Sequence, residues 1–570
     1  MSGRAIELKG VTYFYPNTTT PALEHVTLSI DYGEFVAIAG PSGGGKSTLA
    51  RIVTGLIPHV YGGTLDGEVH VDGINVAEKG IRGIVGRVGI VLQVPENQIV
   101  NLVVEEEIAF PLENLLLDGQ TILNRIEEVL HSLGIEHLRS RATNTLSGGE
   151  IQKVVIASVL ACEPRILILD EPLAHLDPYT VRELLEILYR LNRSHGVTIV
   201  VIEHRLSELL KYVSRLIVLD RYVVADGEPR DVLTTIVNSG SGMGIEVPQV
   251  SRLSAKMGGG SVPVSIEESL DVFSRLLSRD DGCGSLAQYG AGEVKRAGED
   301  PVIAAEDLWY AYPSGRAALR GVTVSVYRGE FVAIVGANGS GKTTLVKHFS
   351  GILKPSRGSV KVFGRDTSSY SVAELARHVG AVFQNPLHQF FNETVLDEVL
   401  FSARNMGIRD AEERALSVLR YFNLSHLADR SPYEISVGEQ RRLAIASILI
   451  YDPEIVVLDE ATAGIDFSLK MELLKLLVDL VERGKTVILT THDIEFITYA
   501  PLDRIIVLND GRVLAHGPPR ELLYSDELLV KARVAPPQIP VLVKRIGLDR
   551  CARPLNEKEL YSILLPGERR

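Results

Sequence analysis

The stretch GEFVAIAGPSGGGKSTL at 33–49 returns almost intact at 329–345 as GEFVAIVGANGSGKTTL. Each copy runs from a short apolar segment, FVAIA or FVAIV, through a glycine-rich turn to a lysine and a hydroxyl residue, in the spacing G-x4-GK[ST]. The apolar segment reads as a strand and the residues after the lysine as the start of a helix. Glycines in such a turn let backbone N–H groups wrap an anion, and the helix N-terminus that follows favours negative charge. Lys46 and Lys342 supply a compact positive charge, and the hydroxyl of Ser47 or Thr343 can ligate Mg²⁺. A lone match could be an ordinary glycine-rich turn; two matches in the same strand-to-helix context point to two phosphate sites. The candidate phosphate-binding residues are Gly40, Pro41, Ser42, Gly43, Gly44, Gly45, Lys46, Ser47 and Thr48 in the first copy. In the second they are Gly336, Ala337, Asn338, Gly339, Ser340, Gly341, Lys342, Thr343 and Thr344.

Working outward, other phrases also recur in the same order. RILILDEP (165–172) returns as EIVVLDEA (454–461), IVVIEH (199–204) as VILTTH (487–492), and LSGGEIQK (146–153) as ISVGEQRR (435–442). Self-similarity on this scale means two homologous halves. ILILD and EIVVLD lack polar alternation, as expected of strands buried on both faces of a parallel sheet. Asp170 and Asp459 end those strands at the carboxyl edge, where open α/β sheets bind ligands and where a carboxylate can hold Mg²⁺. Glu171 and Glu460 follow directly and are candidates to polarise an attacking water, the alternative being a structural ion pair. His204 and His492 each close a strand, which aims the imidazole at the same edge; the recurrence favours a γ-phosphate contact over a packing role.

TILNRIEEVLHSLGI (121–135) puts Ile122, Ile126, Val129, Leu130 and Leu133 on one helical stripe, so each half is expected to be an α/β domain with a helical insertion. GIEVPQVSRLSAKMG (244–258) resembles RVAPPQIPVLVKRIG (533–547), giving each half a C-terminal extension. The expected division is a first domain at 1–240, its extension at 241–278, a flexible linker at 279–300 rich in Gly, Ser and charge, a second domain at 301–530, and its extension at 531–570.

With 59 basic and 72 acidic residues the net charge is −13, which argues against broad binding to a nucleic-acid backbone. Cys162, Cys283 and Cys551 lie far apart without metal-ligand spacing and read as packing residues in a reducing cytoplasm. The N-terminus lacks a signal-peptide layout, and the longest apolar runs are too short to span a bilayer. Work at a membrane would be done from outside the lipid.

Phosphate loop, LSGGE, LDEP and a late strand-end histidine, in that order, resemble an ABC ATPase over nearly the whole chain in two copies. The resemblance implies two tandem nucleotide-binding domains, each with a RecA-like α/β core, an antiparallel β subdomain, a helical subdomain and a short C-terminal extension, using ATP and Mg²⁺. By position it implies that Tyr15 and Tyr312 stack on adenine, a core role being the alternative. It implies that Gln93 and Gln384 contact Mg²⁺ and the attacking water beside Ser47, Asp170, Thr343 and Asp459. Asp177 and Asp466 match the aspartate of the loop that crosses the dimer interface. Ser147, Gly148 and Gly149, with Ser436 and Gly438, would cap the γ-phosphate held by the opposite half, making the chain an intramolecular pseudo-dimer. Val437 stands where the first copy has Gly148. If that glycine sits at negative φ, valine is tolerated; if not, the loop must rearrange, and a weakened Lys46 site is the expectation.

QVPENQIVNLVVEEEIAF (93–110) and QNPLHQFFNETVLDEVLF (384–401) share Q-x-P-x-x-Q, an apolar stretch and an acidic cluster. This resembles ATPases of energy-coupling factor transporters, which take up vitamins and transition-metal ions. The first copy departs from that group's Q-N-P-x-x-Q-(L/I)-F at Val94 and Val100. The resemblance implies a transmembrane coupling subunit and a substrate-binding membrane subunit as partners, at the cytoplasmic face of the cell membrane, and no nucleic acid. The alternatives are a soluble tandem ABC protein acting on ribosomes or nucleic acid, and the fused ATPase of a sugar or other importer. The first would usually carry long charged linkers or a cysteine-rich cluster, and the sugar-importer type often has a degenerate second phosphate loop.

Overall fold

The computed structural model describes residues 3–174, 176–239, 244–258, 260–277, 300–313, 315 and 317–565. The chain divides into two compact units, Met1–Val272 with Asp466–Ser468, and Phe273–Ile465 with Leu469–Arg570. The linker expected at 279–300 lies outside the described residues, apart from Asp300.

In the first unit a six-stranded sheet runs in the order Tyr222–Gly227, Arg215–Asp220, Phe35–Ala39, Thr198–Ile202, Ile166–Asp170, Val88–Val91. The strands from Arg215–Asp220 to Val88–Val91 pair in parallel, and Tyr222–Gly227 joins antiparallel. Phe35–Ala39, Ile166–Asp170 and Thr198–Ile202 are buried at every position. The sheet is covered on both faces, and successive side chains alternate between two cores. Val36, Ile38, Ile166, Ile168, Val200 and Ile202 pack with the helix Lys46–Val53 and the antiparallel sheet Leu23–Asp31, Arg4–Phe14, Thr64–Val71, Ile74–Asn75. Phe35, Ala37, Leu167, Leu169, Ile199 and Val201 face the helical insertion.

That insertion contains Val104–Asn114, Gly119–Leu133 and Gly148–Leu160. Ile126, Leu130 and Leu133 are buried and Ile122 and Val129 packed beside them, so the stripe read from 121–135 is the buried face.

The second unit repeats the design, with strand order Val379–Val382, Ile455–Asp459, Thr486–Thr491, Phe331–Val335, Arg504–Asn509, Arg512–Gly517, and its own antiparallel sheet. The two resembling C-terminal stretches form matched helices, Gln249–Lys256 and Gln538–Arg545, each entered through a proline. No helix among the described residues is long and apolar enough to cross a membrane. Cys162 is a free, half-buried thiol, but Cys551 is disulfide-bonded. The reading of all three cysteines as ordinary packing residues therefore does not hold for Cys551. Cys283 lies outside the described residues.

Candidate nucleotide-binding and hydrolysis site

Four adjacent parallel strands deliver the site in the first unit. Phe35–Ala39 leads into the phosphate loop, Ile166–Asp170 ends on the aspartate, Thr198–Ile202 runs into Glu203 and His204, and Val88–Val91 precedes Gln93. Register fixes their common edge, since Ile202 pairs with both Ile38 and Asp170.

The loop turns into its helix at Gly45, with φ 88°, and at Gly341, with φ 107°. A Cβ on Gly45 would stand 2.5 Å from the Ala22 carbonyl oxygen, and one on Gly341 2.7 Å from that of Ala318. Both backbone conformation and space therefore demand glycine. Lys46 Nζ donates to the carbonyls of Gly40 (3.0 Å) and Pro41 (2.7 Å), and Lys342 to those of Gly336 (2.7 Å) and Ala337 (3.1 Å), so each ammonium lies across its own loop. Thr48 and Thr344 are buried, and their hydroxyls hydrogen-bond at 3.0 Å with Tyr15 and Tyr312. Both tyrosines are half-buried beside the phosphate-loop helix, and Arg51 also donates to the Tyr15 hydroxyl.

Ser47 Oγ donates to Asp170 Oδ1 at 3.1 Å. Burial, then the adjacent Glu171 charge, push the Asp170 carboxyl up to about 6. Asp459 is also raised, chiefly by burial, and is restrained by hydrogen bonds from Thr490 and Thr343. Asp459 Oδ2 is buried without a hydrogen-bond partner. An orphaned carboxylate oxygen beside a threonine hydroxyl fits a hard cation such as Mg²⁺.

The neighbouring glutamates behave oppositely. Glu171 accepts from Gln93 Nε2 at 2.7 Å and pairs with His204 Nε2 at 3.0 Å. Glu460 pairs with His492 Nδ1 at 3.0 Å and with Lys342 Nζ at 3.0 Å. Burial opposes ionisation of both, but the histidines and the lysines outweigh it and hold both carboxyls below the ordinary range. In each half the carboxyls of an aspartate and the next glutamate are thus pushed in opposite directions. Glu171 and Glu460 also take left-handed backbone, with φ 50° and 49°. For a non-glycine residue that conformation is strained, and it persists where the surroundings over-determine it.

The halves differ in their glutamines. Gln93 reaches Glu171 through its side chain, whereas Gln384 is exposed and its main-chain carbonyl accepts from Arg441 Nη1 at 3.0 Å. The second glutamine of Q-x-P-x-x-Q folds back in both: Gln98 donates to the Ile90 carbonyl and Gln389 to that of Ala381, each at 3.2 Å. One residue of each acidic cluster is buried and ties down the following chain. Glu107 accepts from the backbone N–H of Val100 and Asn101, and Glu398 from those of Phe391 and Asn392.

Ser147 and Ser436 are exposed N-caps of Gly148–Leu160 and Val437–Leu449, each in a capping box with Glu150 or Glu439. Gly148 is not among the residues at positive φ, and a Cβ there would meet nothing within 4 Å. Val437 opens its helix 40% exposed. The condition for tolerating valine is met, and no loop rearrangement is needed. Gly149 packs near Thr180, and Gly438 is buried with its α-carbon facing Leu469. Asp177 accepts from the N–H of Tyr179 and Thr180 as the N-cap of Pro178–His195, and Asp466 is buried just before Phe467–Glu482.

The sequence profile of the family described as "ABC transporter" matches residues 23–174 and 319–463. The chain belongs to the ABC transporter family. This ABC ATPase is 35% identical to a "Putative ABC transporter ATP-binding protein" of Methanosarcina acetivorans, over 95% of the chain and 89% of the relative. It is 34% identical to the "Putative HMP/thiamine import ATP-binding protein YkoD" of Bacillus subtilis, over 93% of the chain and 95% of the relative. Among solved structures, cbiO1 of Clostridium perfringens, part of the ABC transporter complex cbiONQ, matches with a TM-score of 0.38 and 36% identity, over 43% of this chain and 100% of that one. The chain is therefore a fused two-domain ATPase subunit of a transporter.

Three features of the site escaped the sequence reading. Thr490 donates to Asp459 where the first half has Ile202 beside Asp170; a hydroxyl among VILTTH was the available signal. Buried Glu203 accepts from the N–H of Leu173 and His204. Arg441 lies 4% exposed inside its unit. It shares a stripe with Ile445 and Ile448, and an arginine at i, i+4, i+7 with two apolar residues was its signal.

Proposed function

We propose that this ABC ATPase powers an importer of the energy-coupling-factor type, carrying a vitamin or a transition-metal ion. The observation that carries the reading is the pair of Q-x-P-x-x-Q segments. Each is clipped to its strand by the second glutamine and anchored by one buried glutamate, which leaves Val100 (65%) and Phe391 (74%) exposed on a fixed main chain. An apolar residue held outward on a rigid element suits docking against a membrane subunit. The Bacillus subtilis relative, whose name refers to HMP/thiamine import, supports uptake. The transmembrane partners would be a coupling subunit and a substrate-binding subunit, with the ATPase at the cytoplasmic face.

Lys46 and Lys342 would hold ATP phosphates, Tyr15 and Tyr312 would stack on adenine, and Ser147 and Ser436 would each cap the nucleotide of the opposite half. Each half carries a complete phosphate loop and strand-end aspartate, so two ATP molecules would bind per chain. Asp170, Ser47 and Gln93, and Asp459, Thr343 and Gln384, would hold Mg²⁺, which would neutralise phosphate charge. Glu171 and Glu460, held ionised, would accept the proton of the attacking water, with His204 and His492 orienting them and touching the γ-phosphate. Binding would close the halves and hydrolysis release them.

Affinity purification from membranes tests the reading. Co-purification of small multi-span membrane proteins that stimulate hydrolysis is the expected result. Salt-sensitive binding to ribosomes with no membrane partner would overturn it.

A further inference from the structure

The guanidinium of Arg441 is buried, with the residue 4% exposed. Its side chain is buried on the signature helix Val437–Leu449; Nη1 donates to the main-chain carbonyl of Gln384 at 3.0 Å and Nη2 to that of Ala463 at 3.4 Å, while the buried Nε has no hydrogen-bond partner. A buried cation is costly unless its donors are used, so a plain packing role would be better filled by an apolar residue of similar volume. The two carbonyls belong to functional segments. Gln384 lies just beyond the strand Val379–Val382. Ala463 closes a turn whose N–H donates back to the Glu460 carbonyl at 3.3 Å. That turn contains Glu460 in its left-handed conformation. Attraction from Glu460 and Asp459 partly offsets the burial that lowers the guanidinium to about 10.

We propose that Arg441 is a positioning residue for hydrolysis by the second half: it ties the Gln384 segment and the Glu460–Ala463 turn to the signature helix and so fixes the glutamate against its site. The first half lacks this tie. Position 152 there is a glutamine, buried at 5% exposure, and its Nε2 has no hydrogen-bond partner. Gln93 is instead held through its side chain on Glu171. The two halves thus fix the same pair of segments by different means, side chain to side chain in one and guanidinium to main chain in the other.

The test is Arg441→Gln in the full chain, measuring kcat for ATP and, separately, affinity for a non-hydrolysable ATP analogue. The expected result is a fall in kcat of about twofold or more with affinity changed by less than about twofold, because the phosphate loop and tyrosine are untouched. Arg441→Lys keeps the charge and one donor direction and recovers part of the loss. Unchanged kcat in Arg441→Gln overturns the proposal, as does a loss of analogue binding in step with kcat. If Arg441→Gln does not fold, Arg441→Lys decides: reduced kcat at unchanged affinity supports the role, and full kcat refutes it.

Discussion

Replacing Asp170 with asparagine should make the metal-free protein more stable while abolishing its use of Mg²⁺ at the first site. The Asp170 carboxyl is 3% exposed, and burial raises it from 3.8 to about 6. The folded state therefore holds the proton over a pH range where the unfolded chain has lost it, so stability falls as pH rises from about 4 to about 6. At 1.36 kcal/mol per unit, the cost of ionised Asp170 is about 1 kcal/mol near pH 4.5 and about 3 kcal/mol near pH 8. Asparagine carries no such charge, and the neutral amide keeps an acceptor for Ser47 Oγ. For a domain of about 150–250 residues, each kcal/mol moves the melting temperature by about 2–4 °C. Calorimetry in EDTA should show the first-half transition of Asp170→Asn raised by about 4–8 °C near pH 8, the amide being an imperfect stand-in, with a smaller gain near pH 4.5. The single tryptophan, Trp309, lies on a strand of the second half, so its fluorescence transition serves as an internal control. A stability gain independent of pH, or a variant less stable than the parent near pH 8, would refute the reasoning that charge burial dominates at this residue.

Thr490→Val removes the hydroxyl that donates to buried Asp459. A hydrogen bond to a charged group is worth about 1.5–3 kcal/mol, so the second-half transition should fall by several degrees while Ile202→Val in the first half has a minor effect. Glu171→Gln and Glu460→Gln should each stop hydrolysis at their own site while the chain still binds two nucleotides, counted by equilibrium dialysis; one nucleotide, or unchanged turnover in either variant, contradicts the assignment. Ser147→Ala or Ser436→Ala removes a capping box and should lower stability by about 1 kcal/mol, read as a melting shift in its own half. Val437→Gly should fold normally, since the backbone there is helical, and raised hydrolysis would show that valine bulk weakens the site it serves.

The two-fold repeat, the strand–loop–helix context of both G-x4-GK[ST] motifs, and the aspartate–glutamate pairs at strand ends were all legible in the sequence, as was the helical insertion. These features are local: a glycine needed at a tight turn, a hydroxyl beside a lysine, or an apolar run of strand length is encoded within a few residues. The meaning of Val437 was legible only as a condition on φ, because a sequence does not state a backbone angle.

What tertiary structure alone decided are contacts between segments far apart in the chain. Gln93 meets Glu171 while Gln384 turns outward, His204 uses Nε2 while His492 uses Nδ1, and Lys342 pairs with Glu460. Thr490 reaches Asp459 because parallel register sets them side by side. Arg441 becomes a buried tie because its helical stripe faces inward. Sequence determines which groups are available and at what spacing; strand register and helix rotation, set by packing of the whole core, determine which of them touch.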